Sequence, residues 1–191
     1  MFADVADTVR EKLLTKKTGM ILVTGPTGSG KSTSIVSMIE HINRTRAENV
    51  ITIEDPIEYV FKAEKSIISQ REVGHDTWSF VNALRSCMRE DPNVIFVGEI
   101  RDKETAESVL SLSETGHLVF STLHTPSASG TINRFISFFS PEIQDSVASR
   151  IADSLLGVLS QFLVKNADGK SRVGIYELML NTLAVKNNII K

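Results

Sequence analysis

Gly25-Pro26-Thr27-Gly28-Ser29-Gly30-Lys31-Ser32-Thr33 fits the pattern G-x-x-x-x-G-K-[ST], and the chemistry of that pattern is phosphate binding. Its glycines let backbone N–H groups close around phosphate oxygens where a Cβ would collide. Lys31 is expected to reach the β- and γ-phosphates, and the Ser32 hydroxyl to ligate Mg²⁺. Three further groups of polar residues stand beyond apolar runs: Glu54-Asp55-Pro56-Ile57-Glu58, Gly98-Glu99-Ile100-Arg101-Asp102 and His124-Thr125. Glu99 is placed to meet Mg²⁺ directly or through water. A carboxylate among Glu54, Asp55 and Glu58 would polarise the attacking water that hydrolysis of a γ-phosphate requires, and spacing does not choose among the three. His124 is better placed than His117 to sense that phosphate, and the two together do not resemble a metal cage. A nucleoside triphosphate with Mg²⁺ is therefore the expected ligand.

Such groups work only if strands and helices bring them to one place. Met20-Ile21-Leu22-Val23-Thr24 reads as a buried strand before the glycine loop, and Ile35, Met38, Ile39 and Ile42 fall at helical spacing after it. Strand, loop, helix is the context in which the phosphate pattern carries meaning. Val50 to Ile53, Val94 to Val97 and Leu118 to Leu123 read as three more buried strands. A first helix is expected over residues 2–16, with Phe2, Val5, Ala6, Val9 and Leu13 on one face. Another is expected from a cap at Asp76 or Thr77 through Glu90, and residues 57–70 read as short strands and turns. Asp102 caps a helix to Thr115, closed by Gly116. Helices follow over 128–138 and 141–156, the second opened by Ser140 and Pro141. Strands over 158–164 and 173–180 flank Asp168-Gly169 as a hairpin, and a last helix runs from Leu183 to Ile190. Strands alternating with helices argue for an α/β fold with a mostly parallel sheet covered on both faces. In such a sheet ligands sit beyond the carboxyl ends of the strands, where the loop, the acids and His124 all fall.

Composition narrows the class. The 191 residues suit one domain, with 41% hydrophobic and 23% charged residues. No apolar run approaches the roughly 20 residues that span a bilayer. The lone Cys87 rules out an intrachain disulfide and a multi-cysteine zinc site. A net charge of −2 gives no global pull towards nucleic acid, and there is no basic stripe with interleaved aromatics. A cytoplasmic setting is expected.

Four segments together resemble a family. Gly25 to Thr33, Thr52 to Tyr59, Arg89 to Asp102 and Thr115 to Thr125 are similar, in order and spacing, to the Walker A, aspartate, Walker B and histidine boxes of the bacterial secretion and type IV pilus ATPases. The resemblance implies a RecA-like P-loop core with a C-terminal β-hairpin and helices, and a Mg²⁺-dependent ATPase that does mechanical work. It assigns Glu58 as the acid that activates water, Glu99 to Mg²⁺ and water, and His124 to γ-phosphate sensing. It places the protein as a homo-hexamer acting on an inner-membrane platform of a pilus or secretion machine, peripheral to that membrane. Family members carry an N-terminal PAS-like domain, so residues 1–191 are expected to be the ATPase domain without it and without the end of the C-terminal helical region.

The pilus-retraction branch, which drives twitching motility, fits best. Assembly motors commonly carry a four-cysteine metal element that this sequence cannot form. Ala184-Val185-Lys186-Asn187-Asn188-Ile189 resembles the Ala-Ile-Arg-Asn-Leu-Ile element of retraction motors, with lysine for arginine and asparagine for leucine. Those departures keep the accessory-motor branch open. An assembly ATPase of a type II secretion or pilus system and a non-hydrolysing nucleotide-binding regulator remain the alternatives.

Overall fold

The computed structural model describes residues 2–167 and 169–191, the side chains of residues 2–4 excepted. Seven strands form one sheet: β1 (Gly19–Thr24), β2 (Asn49–Glu54), β3 (Ile67–Glu72), β4 (Val94–Val97), β5 (Leu118–Leu123), β6 (Leu155–Lys165) and β7 (Arg172–Leu180). Their order is β3-β2-β4-β5-β1-β6-β7. Every neighbouring pair is parallel except β6 and β7, which run antiparallel from Gly157↔Leu180 to Lys165↔Arg172. The expected hairpin is thus present, while its turn residue Asp168 lies outside the described residues, as does the side chain of Phe2.

The helices are α1 (Phe2–Lys12), α2 (Lys31–Thr45), α3 (Phe80–Cys87), α4 (Lys103–Glu114), α5 (Ala128–Ile136), α6 (Gln144–Ser154) and α7 (Leu183–Ile190), with a 3₁₀ turn at Pro141–Ile143. Strand side chains alternate between faces, and each face has its own core. Met20, Leu22, Ile51, Ile53, Ile95 and Val97 pack with α3 to α6. Ile21, Val23, Val50, Phe96 and Phe120 pack with α1 and α2 on the other side. The four central strands are therefore mostly apolar, as strands buried on both faces tend to be, with Thr24, Thr52, Ser121 and Thr122 buried among the apolar residues.

Several boundaries differ from the sequence reading, the first helix ending at Lys12 rather than residue 16 and β6 beginning at Leu155 rather than 158. The helix expected from Asp76 or Thr77 to Glu90 is shorter, and Ser79 is its cap, accepting from Asn82 N at 3.2 Å. Asp76 is spent elsewhere, its carboxylate accepting from Glu72 N at 2.9 Å. Thr77 bridges to Val73 in a turn that ends before the helix begins. The helix expected over 141–156 starts as a 3₁₀ turn and gives way at Leu155 directly to β6. Among the described residues no helix is long and apolar enough to cross a membrane.

Candidate active site

Because β1, β2, β4 and β5 are parallel neighbours or near neighbours, their carboxyl ends lie along one edge of the sheet. A cleft of about 440 Å³ opens there, lined by Lys31, Glu54, Asp55, Glu58, Glu99 and His124 among others. A larger groove of about 760 Å³ lies between α1 and α2, but it carries none of the strand-end acids. The strand-end acids, Lys31 and His124 gather in the smaller cleft.

The phosphate loop connects β1 to α2. Gly25 has φ 143°, and a Cβ there would stand 2.2 Å from the Gln161 carbonyl oxygen, so only glycine fits. Gly30, with φ 86°, forms the left-handed residue before α2. The helix N-terminus has no side-chain cap and no acid in its first turn, which leaves its dipole and N–H groups facing the cleft. Thr27, Gly28, Gly30, Lys31, Ser32 and Thr33 line the opening. Gly25, Pro26 and Ser29 form the inside of the loop instead: Lys31 Nζ donates to Gly25 O at 2.9 Å and Pro26 O at 3.1 Å. Burial pushes the Lys31 ammonium below its ordinary pKa, while Glu99 and Glu58 pull it back up.

His124 stands between the cation and the acid. Its Nδ1 lies 3.4 Å from Lys31 Nζ, and its Nε2 lies 3.4 Å from Glu99 Oε2. An ammonium donor at Nδ1 leaves the ring proton on Nε2, facing Glu99. Arg101 pairs with Glu99 and lies 3.6 Å from Asp55, and its bond to Glu99 raises the guanidinium pKa. These groups thus form a chain: Lys31, His124, Glu99, Arg101, Asp55.

The three acids at the end of β2 have different surroundings. Glu54 is buried, accepting from Thr52 Oγ1 at 2.7 Å and Gln70 Nε2 at 3.3 Å. Burial pushes its carboxyl above the usual range. Asp55 is exposed and turned to Arg101. Glu58 is exposed, lines the cleft and is near enough to act on the Lys31 charge. Only Glu58 has an uncommitted carboxylate beside the loop in these contacts. His117, by contrast, lies at the amino end of β5 with Nδ1 3.1 Å from Leu112 O, on the far side of the sheet from the cleft.

These residues fit a phosphate-bound divalent cation. Ser32 and Glu99 both line the cleft. Among the described residues no cluster of three or more histidine, cysteine or acidic side chains could hold a metal alone. A hard cation here would need phosphate oxygens to complete its shell, as Mg²⁺ at nucleotide sites commonly does. Two contributors escaped the sequence reading. Gln161 of β6 bonds to the loop at Ser29 O, and Thr24 Oγ1 ties the end of β1 to Thr125 O at 2.8 Å. The adjacent polar residues Ser160 and Gln161 inside a largely apolar strand were the available signal.

A family model described as type II/IV secretion system protein matches residues 2–189. The chain is 50% identical over 171 residues to a type IV pilus retraction ATPase, PilT, of Pseudomonas aeruginosa, covering 90% of the chain and 49% of that protein. It is 48% identical over 184 residues to a twitching motility protein of Neisseria gonorrhoeae, covering 96% of the chain and 49% of that protein. A solved structure of the pilus retraction motor PilT with bound ADP superposes with a TM-score of 0.91 at 55% identity, covering 94% of the chain and 52% of that one. The chain spans about half the length of the relatives it matches.

Proposed function

The chain belongs to the type II/IV secretion system protein family, and from that footing we propose that it is the ATP-hydrolysing core of a pilus-retraction motor. The observation that supports this reading is the meeting of Lys31, Glu58, Glu99 and His124 in one cleft beside an uncapped helix N-terminus. Loop N–H groups and Lys31 bind and neutralise the phosphates. Mg²⁺, held by Ser32 and Glu99, supplies further neutralisation of phosphate charge when bound. Glu58 accepts a proton from the attacking water, since its carboxylate is exposed at the cleft rim and uncommitted. His124, already linked to Lys31 and Glu99, reads the γ-phosphate side of the cleft and reports its charge along the Glu99–Arg101–Asp55 chain.

In the whole protein this core works as a homo-hexamer at the cytoplasmic face of the inner membrane, against a platform protein of the pilus machine. Retraction is favoured over assembly by the relatives named above and by the single Cys87, which cannot build a four-cysteine metal element. Phosphate release from ATP, measured with and without Mg²⁺ and with and without DNA, tests the reading. Release that needs Mg²⁺ and ignores DNA is expected; strong stimulation by DNA would turn the assignment to a nucleic-acid motor, and ATP binding with no release would leave a nucleotide-binding regulator.

A further inference from the structure

Gln161 braces the phosphate loop from beneath, and neither the loop's sequence pattern nor the chemistry of hydrolysis accounts for it. It follows Ser160, the register partner of Thr24 at the end of β1. Only 2% of it is exposed. Its Nε2 donates to Ser29 O at 2.7 Å, and its Oε1 accepts from Ser34 Oγ at 2.8 Å. One amide therefore joins the body of the loop to the first turn of α2. Its backbone carbonyl and its Nε2 also set the closest approaches to Gly25 and Gly30, at 2.2 and 3.2 Å from the positions a Cβ would take.

The loop needs such a brace. Gly25, Gly28 and Gly30 all have positive φ, and a segment built from such residues has much conformational freedom to lose when it orders around a ligand. A buried carboxamide costs free energy unless both its ends are hydrogen-bonded. Here both ends are satisfied by loop and helix groups, so the amide is at ease only with the loop in this shape. Strand β6 reaches the opposite wall too: Ser160 Oγ donates to Pro126 O at 3.3 Å, two residues beyond His124.

We infer that Gln161 is a positioning residue for nucleotide phosphates, holding the loop in its binding shape through Ser29 and Ser34. This rests on the reading of the loop as a phosphate site. Gln161 touches no phosphate itself; it lowers the ordering cost that binding would otherwise carry, which is the logic of preorganisation.

The test measures the dissociation constant of Mg²⁺–ATP by calorimetry on the full chain, with thermal melts alongside. The proteins are the parent, Gln161→Met, Ser34→Ala and the double variant. Methionine keeps much of the volume and removes both bonds. Gln161→Met should weaken ATP roughly tenfold and Ser34→Ala about threefold, since it cuts one bond of the two. The double variant should match Gln161→Met, because the bond from Ser34 is already gone there. A part that is structural alone would lower the melting temperature while folded protein binds ATP as tightly as the parent, and that result overturns the inference. So does a Ser34→Ala loss that adds in full to the Gln161→Met loss. If Gln161→Met does not fold, Ser34→Ala decides: unchanged affinity overturns the inference, and a several-fold loss supports it. A parent that fails to bind Mg²⁺–ATP removes the phosphate reading itself, a separate failure from tight parental binding that the variants leave untouched.

Discussion

The two walls of the cleft are built by opposite means. The phosphate-loop wall is made of backbone and buried side chains: Lys31 is 9% exposed, Ser29 3% and Gln161 2%. The acid wall is made of side chains at or near the surface, with Glu58, Asp55 and Arg101 exposed and the Glu99 carboxylate partly covered. Fixed dipoles and one buried cation cannot rearrange cheaply, so they set affinity before the ligand arrives. Carboxylates at a rim can turn and exchange protons with water. On the proposed reading, the difference makes binding and hydrolysis separable, and substitutions on the two walls should separate them.

The largest combined effect, on affinity and turnover together, belongs to the buried cation. Lys31→Ala removes the ammonium that would neutralise phosphate charge, and turnover should fall by roughly 10²–10³-fold together with ATP affinity. The fold should survive, because burial already disfavours the charged lysine. Calorimetry and phosphate release check this. Parental binding in the variant would dissolve the contrast at its stronger side.

On the other wall, Glu58→Gln should keep ATP affinity and cost about 10²–10⁴-fold in hydrolysis, the usual size of a general-base contribution. Glu99→Gln should also lose hydrolysis, and in addition shift the Mg²⁺ concentration needed for half-maximal rate upwards. Titrating Mg²⁺ at saturating ATP separates the two acids. Identical Mg²⁺ curves for both variants would mean that Glu99 does not act through the cation.

Much of the binding wall was legible in the sequence, and less of the acid wall. The glycine loop, its flanking strand and its helix are contiguous, and their local rules agree. The central strands were readable because burial on both faces makes them mostly apolar, and wholly so in Val94–Val97. Edge strand β3 was read only loosely, among short strands and turns over 57–70, since its Ser69, Gln70 and Arg71 are only partly buried and show no such run. The cap of α3 was misplaced because Asp76, Thr77 and Ser79 are all good capping residues within four positions, and only the turn to Val73 decides among them. Spacing could not rank Glu54, Asp55 and Glu58, because their partners Thr52, Gln70 and Arg101 come from different strands and loops. Gln161 contacts the loop across 132 positions of sequence, beyond any local pattern.

Arg101 offers a smaller test. Its guanidinium is 60% exposed while bonded to Glu99 and close to Asp55. Exposed pairs of this kind contribute about 0.2–1 kcal/mol and weaken in salt. Arg101→Ala should therefore leave the melting temperature almost unchanged. Turnover should drop less than tenfold, in the range set by a pair of that strength. The remaining rate should be less sensitive to salt than the parent's, and a stopped-flow or steady-state salt series reads this. A large loss of ATP affinity would mean that Arg101 reaches the ligand, and the acid wall would then share in binding.

Glu54 gives the smallest effect and the sharpest check on where the wall of working acids begins. Burial raises its carboxyl above the ordinary range, with the bonds from Thr52 and Gln70 opposing the shift. Below the ordinary carboxylate range the folded and unfolded chains are both protonated there, and the group adds no pH dependence. As pH rises, the unfolded chain releases its proton first and the folded chain follows only at the raised value. Over that window the folded state holds more protons, so stability falls with rising pH and stays lower above it. Glu54→Gln has no such window, and its side-chain oxygen still accepts from Thr52 and Gln70. Relative to the parent, the variant should gain stability as pH rises above the ordinary carboxylate range. Thermal melts across that rise in pH measure it. Hydrolysis should remain near parental, because Glu54 is committed to its neighbours. If Glu54→Gln instead loses more turnover than Glu58→Gln, the water-activating acid is the buried one, and the division between a buried binding wall and an exposed hydrolytic wall fails.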